Sequence, residues 1–119
     1  MFAFSHKYRL TTPADFRNLA NSNNKIEDIY FVVYIVYNQL KYNRIGFTIP
    51  KTSVLMAVNR NRVKRICREF FRINNHRLQG KCNIDILLVA KKHIAELSNH
   101  EFITKLEDTW EKLVLFLQT

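Results

Sequence analysis

The chain has 119 residues, 47% hydrophobic and 13% aromatic, which fits one globular domain over 1–119 and excludes a disordered polymer. Its net charge of +9 is unevenly placed: residues 1–92 carry 17 basic and 5 acidic side chains, a net of +12, while 93–119 carry 2 and 5, a net of −3. Such a field suits nucleic acid, and no apolar run approaches the roughly 20 residues that span a bilayer, so no membrane partner is expected.

The N-terminus MFAFSHKYRL has no signal-peptide apolar region. Cys67 and Cys82 do not make a disulfide framework and lack the paired spacing of metal ligands. A cytoplasmic location follows as the expectation.

Thr12 reads as an N-cap, with Pro13 at the first helical position and Asp15 at the third. The short helix carries Phe16 and Leu19 on one side and Arg17 outward, and Asn21–Asn24 ends it. Tyr30–Tyr37 (YFVVYIVY) is β-branched and aromatic, the composition of a central strand. Alternation puts Tyr30, Val32, Tyr34 and Val36 on one face and Phe31, Val33, Ile35 and Tyr37 on the other. After a turn at 38–43, a second strand runs from Arg44 to Ile49. Ile45, Phe47 and Ile49 make its apolar side, and Arg44, Gly46 and Thr48 the less bulky one. Pro50 stops regular pairing.

A helix then starts between Ser53 and Ala57 and fades near Asn74–His76. Ile84–Ala90 (IDILLVA) is an interior strand. Ser98 with Glu101 three residues on forms a capping box for a last helix, whose Phe102, Leu106, Trp110, Leu113 and Leu117 recur at helical spacing. The order is helix, strand, strand, helix, strand, helix, with room for a short strand near Lys51: an α+β sandwich around a small sheet.

The most informative stretch is 59–72, NRNRVKRICREFFR. At about 100° per residue, Val63, Ile66, Cys67 and Phe70 form an apolar stripe. Arg60, Lys64, Arg68 and Arg72 run at i, i+4 along a ridge; Arg65 points away from the stripe and Arg62 sits on its other flank. Like charges at this spacing repel by a few tenths of a kcal/mol per pair. A surface that only had to be solvated would mix signs. Guanidinium forks match phosphate oxygens in bidentate geometry, so the ridge calls for a polyanion.

No catalytic constellation accompanies it. His6, His76, His93 and His100 lie in no local pattern with a nucleophile or carboxylate, Asp85 stands isolated, and Gly46 and Gly80 make no phosphate loop. A DNA-reading helix would need a companion helix and tight turn before it, which are missing, so DNA is not the expected partner. A general RNA-binding protein of ribosomal type stays open on the residues alone. Tyr30, Tyr34 and Phe16 offer a platform on which bases can stack.

RLTTPADF at 9–16, RIGFTIPK at 44–51 and above all RNRVKRICREFFR at 60–72 resemble the protein subunit of bacterial ribonuclease P, over nearly the whole chain. The resemblance implies an α-β-β-β-α-β-α fold with an unusual left-handed βαβ crossover. It implies a ribonucleoprotein endonuclease in which a catalytic RNA does the chemistry with RNA-bound Mg2+, removing the 5′ leader of precursor tRNA, and no cofactor on the protein itself. Arg60, Arg62, Lys64, Arg65 and Arg68 match the family's RNR motif and Arg72 continues the ridge, so these would bind the catalytic RNA. Phe16 and Tyr34 match aromatic positions of the leader cleft, with Arg44 and Thr48 on its side and Lys51 at its edge. Ala20 stands where many relatives carry a second aromatic, and Thr52, Leu55 and Met56 where they often carry basic or polar residues.

Overall fold

The middle of the sheet is made by a late segment of the chain, Ile84–Ala90, which inserts between two strands that precede it by more than 35 residues. The computed structural model describes residues 8–10 and 13–118; the N-cap expected at Thr12 lies outside them. The elements are α1 (Pro13–Ala20), β1 (Lys25–Glu27), β2 (Phe31–Tyr37), β3 (Arg44–Thr48), α2 (Ala57–Asn74), β4 (Ile84–Ala90) and α3 (Asn99–Leu117), with 3-10 segments at Asn75–Arg77 and Lys92–Glu96. This is the α-β-β-β-α-β-α order.

The sheet order is β1-β2-β4-β3, with β4 antiparallel to β2 and parallel to β3. The short extra strand is not near Lys51. It is β1, paired antiparallel to β2 with Ile26 opposite Val33, whereas 50–54 closes a turn in which the Ser53 and Val54 amides donate to the Pro50 carbonyl. Three residues carry too little pattern to declare a strand, and β1 exists because the edge of β2 offers it a partner. The opposite edge, β3, is covered in part by Arg9 and Leu10, whose Leu10 amide donates to the Ile45 carbonyl at 3.0 Å.

Strand alternation divides the core in two. Phe31, Val33 and Ile35 of β2 with Ile84, Ile86 and Leu88 of β4 face α2 and α3 and are at most 2% exposed. Val63, Cys67, Phe70 and Phe71 of α2 and Phe102, Leu106, Trp110, Leu113 and Leu117 of α3 fill the space above them. Phe71, fully buried, widens the expected α2 stripe, because this helix wedges between the sheet and α3. Trp110 locks the two helices: its ring meets Phe70 edge-on at 5.0 Å, and its Nε1 donates to the Asn74 carbonyl at 3.0 Å. The Ser98–Glu101 capping box starts α3 as expected.

On the other face Leu10, Leu19 and Leu87 form a small buried cluster, with Phe16, Tyr34, Val36 and Val89 packed partly exposed around them, and Val32 is buried beside it. Tyr30 does not belong there. The Asp28 carboxylate accepts from the amides of Tyr30 and Phe31 at 2.7 and 3.0 Å, so Tyr30 sits in a turn ahead of the strand. Its ring packs toward α3, beneath the Lys105 ammonium at 5.4 Å.

Candidate nucleic-acid interface

Two surfaces carry the side chains singled out by the sequence, and they meet along β3. The first is the polar side of α2. Among the described residues, Lys64, Arg65 and Arg68 have no hydrogen-bonding or ion-pairing partner, although the Arg68 guanidinium lies 5.9 Å from the centre of the Phe47 ring. The others are engaged. Arg60 donates to the carbonyls of Val54 and Leu55 at 2.9 and 2.8 Å, tying down the entrance of its own helix. Arg62 donates to Asn99 Oδ1 at 2.8 Å, bracing α2 against the start of α3. Arg72 pairs with Glu69 one turn back. The ridge is therefore graded: its ends are held by the protein, and its middle faces outward.

The second surface is the α1 face of the sheet. The register aligns Val36–Asp85–Arg44, Tyr34–Leu87–Gly46 and Val32–Val89–Thr48 as rows across β2, β4 and β3. Phe16 reaches from α1 onto the middle row. A Cβ added at Gly46 would stand 2.9 Å from Phe16 Cε1 and 3.0 Å from Leu10 Cβ, so the missing side chain is what lets the ring approach β3. Tyr34 lies two strands away in the same row, roughly 10 Å at ordinary strand spacing. Both rings are half-buried and share one face. Thr48 is exposed at the end of β3 and Lys51 on the following turn.

Arg44 anchors the far row. Asp85, expected to stand isolated, takes it in a bidentate pair, Nε–Oδ1 2.9 Å and Nη2–Oδ2 2.6 Å, and also accepts from Asn38 Nδ2 at 2.8 Å. Hydrogen bonding to Asp85 holds the guanidinium above its usual range, against the opposing effect of burial. The remaining nitrogen, Nη1, faces Asp15 of α1 at 3.7 Å. Arg44 thus fastens α1 to the sheet as well as lining the cleft. Nothing in the local sequence signals this pair, whose members lie 41 positions apart.

At the β3 edge the surfaces join: Leu10, Phe16, Gly46 and Phe47 line one small depression together with Lys64 and Arg68 of α2. A larger groove of about 490 Å³ lies between α2 and α3, with Ile66, Phe70, Ile73 and Ile103 in its wall. Its one carboxylate, Glu69, is paired with Arg72. Cys67 is buried, which pushes its thiol up and keeps it inert. Among the described residues no three His, Cys, Asp or Glu side chains cluster as metal ligands, and no helix is long and apolar enough to cross a membrane. The arrangement offers cations and aromatic rings for binding.

Comparison with known proteins agrees with this geometry. The Ribonuclease P family model matches residues 4–114. The ribonuclease P protein components of Vibrio campbellii and Aliivibrio salmonicida are 35% and 36% identical over 112 residues, 94% of this chain and 92% and 93% of theirs. The structure of the RNase P protein from Staphylococcus aureus superposes with a TM-score of 0.78 at 26% identity, covering 87% of this chain and 93% of that one. That from Thermotoga maritima gives 0.74 at 26% identity, covering 87% and 96%. With the basic helix, the four-stranded sheet and the family match spanning nearly the full length, the chain belongs to the ribonuclease P protein component family.

Proposed function

We propose that this protein works in the cytoplasm as the protein subunit of a ribonucleoprotein ribonuclease P, in which a catalytic RNA carrying Mg2+ hydrolyses the phosphodiester at the 5′ end of mature tRNA. The protein supplies binding. Lys64, Arg65 and Arg68 meet phosphates of the catalytic RNA, with Arg60, Arg62 and Arg72 holding the helix that presents them. The single-stranded leader of precursor tRNA lies across the α1 face, its bases stacking on Phe16 and Tyr34 and its backbone passing Thr48 and Lys51. Arg44, committed to Asp85, shapes the end of that path.

The observation that carries this reading is the half-open sheet face. Two aromatic rings stand in one row on a face with few buried side chains, beside a helix whose free cations face outward. A general RNA-binding role without a catalytic RNA is not favoured, since the relatives are ribonuclease P protein components.

The test compares holoenzyme affinity for precursor and mature tRNA. Phe16→Ala and Tyr34→Ala should each weaken precursor binding by about 1–3 kcal/mol. Mature tRNA, having no leader, should bind the variants as it binds the unmodified holoenzyme, and assembly with the catalytic RNA should persist. Equal losses for both ligands would reduce the two rings to scaffold.

A further inference from the structure

The entrance of α2 carries an apolar patch that none of the described residues covers. Leu55, Met56 and Val58 are 80%, 62% and 67% exposed, within four residues of one another. They are not a loose end. Val54 beside them is buried at 1% exposure, its amide donates to the Pro50 carbonyl at 2.9 Å, and Arg60 clamps the carbonyls of Val54 and Leu55. With Val54 pinned inward and the backbone held on both sides, Leu55 and Met56 are presented to solvent by a fixed turn. Three exposed aliphatic side chains in so short a segment mark a contact surface.

What covers it is set by the charge around it. No Asp or Glu occurs between Asp28 and Glu69, while Lys51, Arg60 and Arg62 flank the patch. Two copies of this surface placed face to face would bring like charges together. A partner must combine a polyanionic rim with apolar flat faces, which is the chemistry of unpaired nucleotides in a folded RNA. We propose that Leu55, Met56 and Val58 pack against exposed nucleobases of the catalytic RNA, giving the helix entrance a contact that does not depend on phosphate neutralisation. This rests on the reading of α2 as the RNA-docking element.

The two kinds of contact respond differently to salt. Phosphate contacts release counterions and set the slope of log affinity against log salt, whereas base packing shifts the line without tilting it. The experiment measures binding of the full chain to the ribonuclease P RNA of a Vibrio relative, at fixed magnesium and several monovalent salt concentrations. Leu55→Ser combined with Met56→Ser should weaken binding by about tenfold at every salt concentration, with the slope unchanged. Leu55→Ile with Met56→Leu should restore it. Arg68→Ala, in contrast, should flatten the slope.

Unchanged affinity of the double serine variant at all salts would overturn the proposal, as would a flattened slope like that of Arg68→Ala. Sedimentation velocity on the RNA-free protein addresses the other occupant: self-association abolished by the serines, with RNA affinity intact, would assign the patch to a second copy and overturn the proposal as well. If the unmodified protein failed to bind the RNA, the docking role of α2 itself would fall, a result visible before any substitution is made.

Discussion

The two faces of the sheet are built to different standards. Toward α2 and α3, Phe31, Val33 and Ile35 of β2 and Ile84, Ile86 and Leu88 of β4 are closed over by aromatic and aliphatic groups. Toward α1, three leucines and Val32 are buried and the rings around them stay half open. The contrast separates two demands on one small domain. The deep face supplies the burial that a 119-residue chain needs to fold. The shallow face leaves aromatic surface for a ligand, and α1 is held over it by a few specific contacts, among them Arg44 with Asp15.

Substitutions should register this difference, beginning with the deep face. Phe71→Ala removes a fully buried ring and should cost about 3–5 kcal/mol in urea unfolding, a large share of the stability of a small domain. Phe16→Ala should cost far less stability. If the two variants unfolded at similar denaturant concentrations, the shallow face would have to be counted as core.

The next effect lies at the joint between α1 and the sheet. Asp85→Asn breaks the bidentate pair and leaves the Arg44 guanidinium, 21% exposed, without its counter-charge. Because the pair is not fully enclosed, the loss in urea unfolding should be about 2–3 kcal/mol, below that for a wholly buried pair.

Gly46→Ala sharpens the comparison further. The new methyl would press on Phe16 and Leu10, and the ring must move. Overpacking should cost only about 1–2 kcal/mol of stability, yet precursor tRNA should bind the holoenzyme more weakly while assembly with the catalytic RNA is kept. Precursor binding at the unmodified level would mean that the position of Phe16 is irrelevant to the leader.

The smallest effect is expected far from either proposed RNA surface. Arg77 pairs with Glu107 at 2.7 Å, joining the end of α2 to α3, and this hydrogen bond holds the Glu107 carboxyl below its usual range. A depressed pKa in the folded state stabilises above the unfolded pKa of about 4.3, and the contribution is lost as pH falls through the folded value. The pair is solvated, so Glu107→Gln should cost about 0.5 kcal/mol at neutral pH. The gap between variant and unmodified protein should close on acidification, as followed by thermal unfolding.

What the sequence makes legible follows from how local each signal is. The α2 stripe, the Ser98–Glu101 box, the alternation of β2 and the apolar run of β4 are periodic or short-range, and the structure repeats them. Alternation misplaces Tyr30 because it holds only inside a strand, and the Asp28 turn sets the ring's direction before pairing begins. Asp85 gave no hint of its partner because the Arg44 pair depends on β3 and β4 lying side by side. The ridge was legible as charge but not as division of labour: that Arg60 and Arg62 hold the protein while Lys64, Arg65 and Arg68 face outward depends on where Leu55 and Asn99 fall in space.

The insertion of β4 between β2 and β3 also dictates an order of events during synthesis. β2 and β3 do not pair with each other, so beyond the short β1–β2 hairpin no strand of the sheet can pair as the chain leaves the ribosome. The aromatic face has no floor until Ile84–Ala90 has emerged, and α2, made before it, must wait with its apolar stripe unburied. In that interval the nascent protein is a tethered cationic segment beside the ribosome's own RNA, able to meet nucleic acid before it has finished folding.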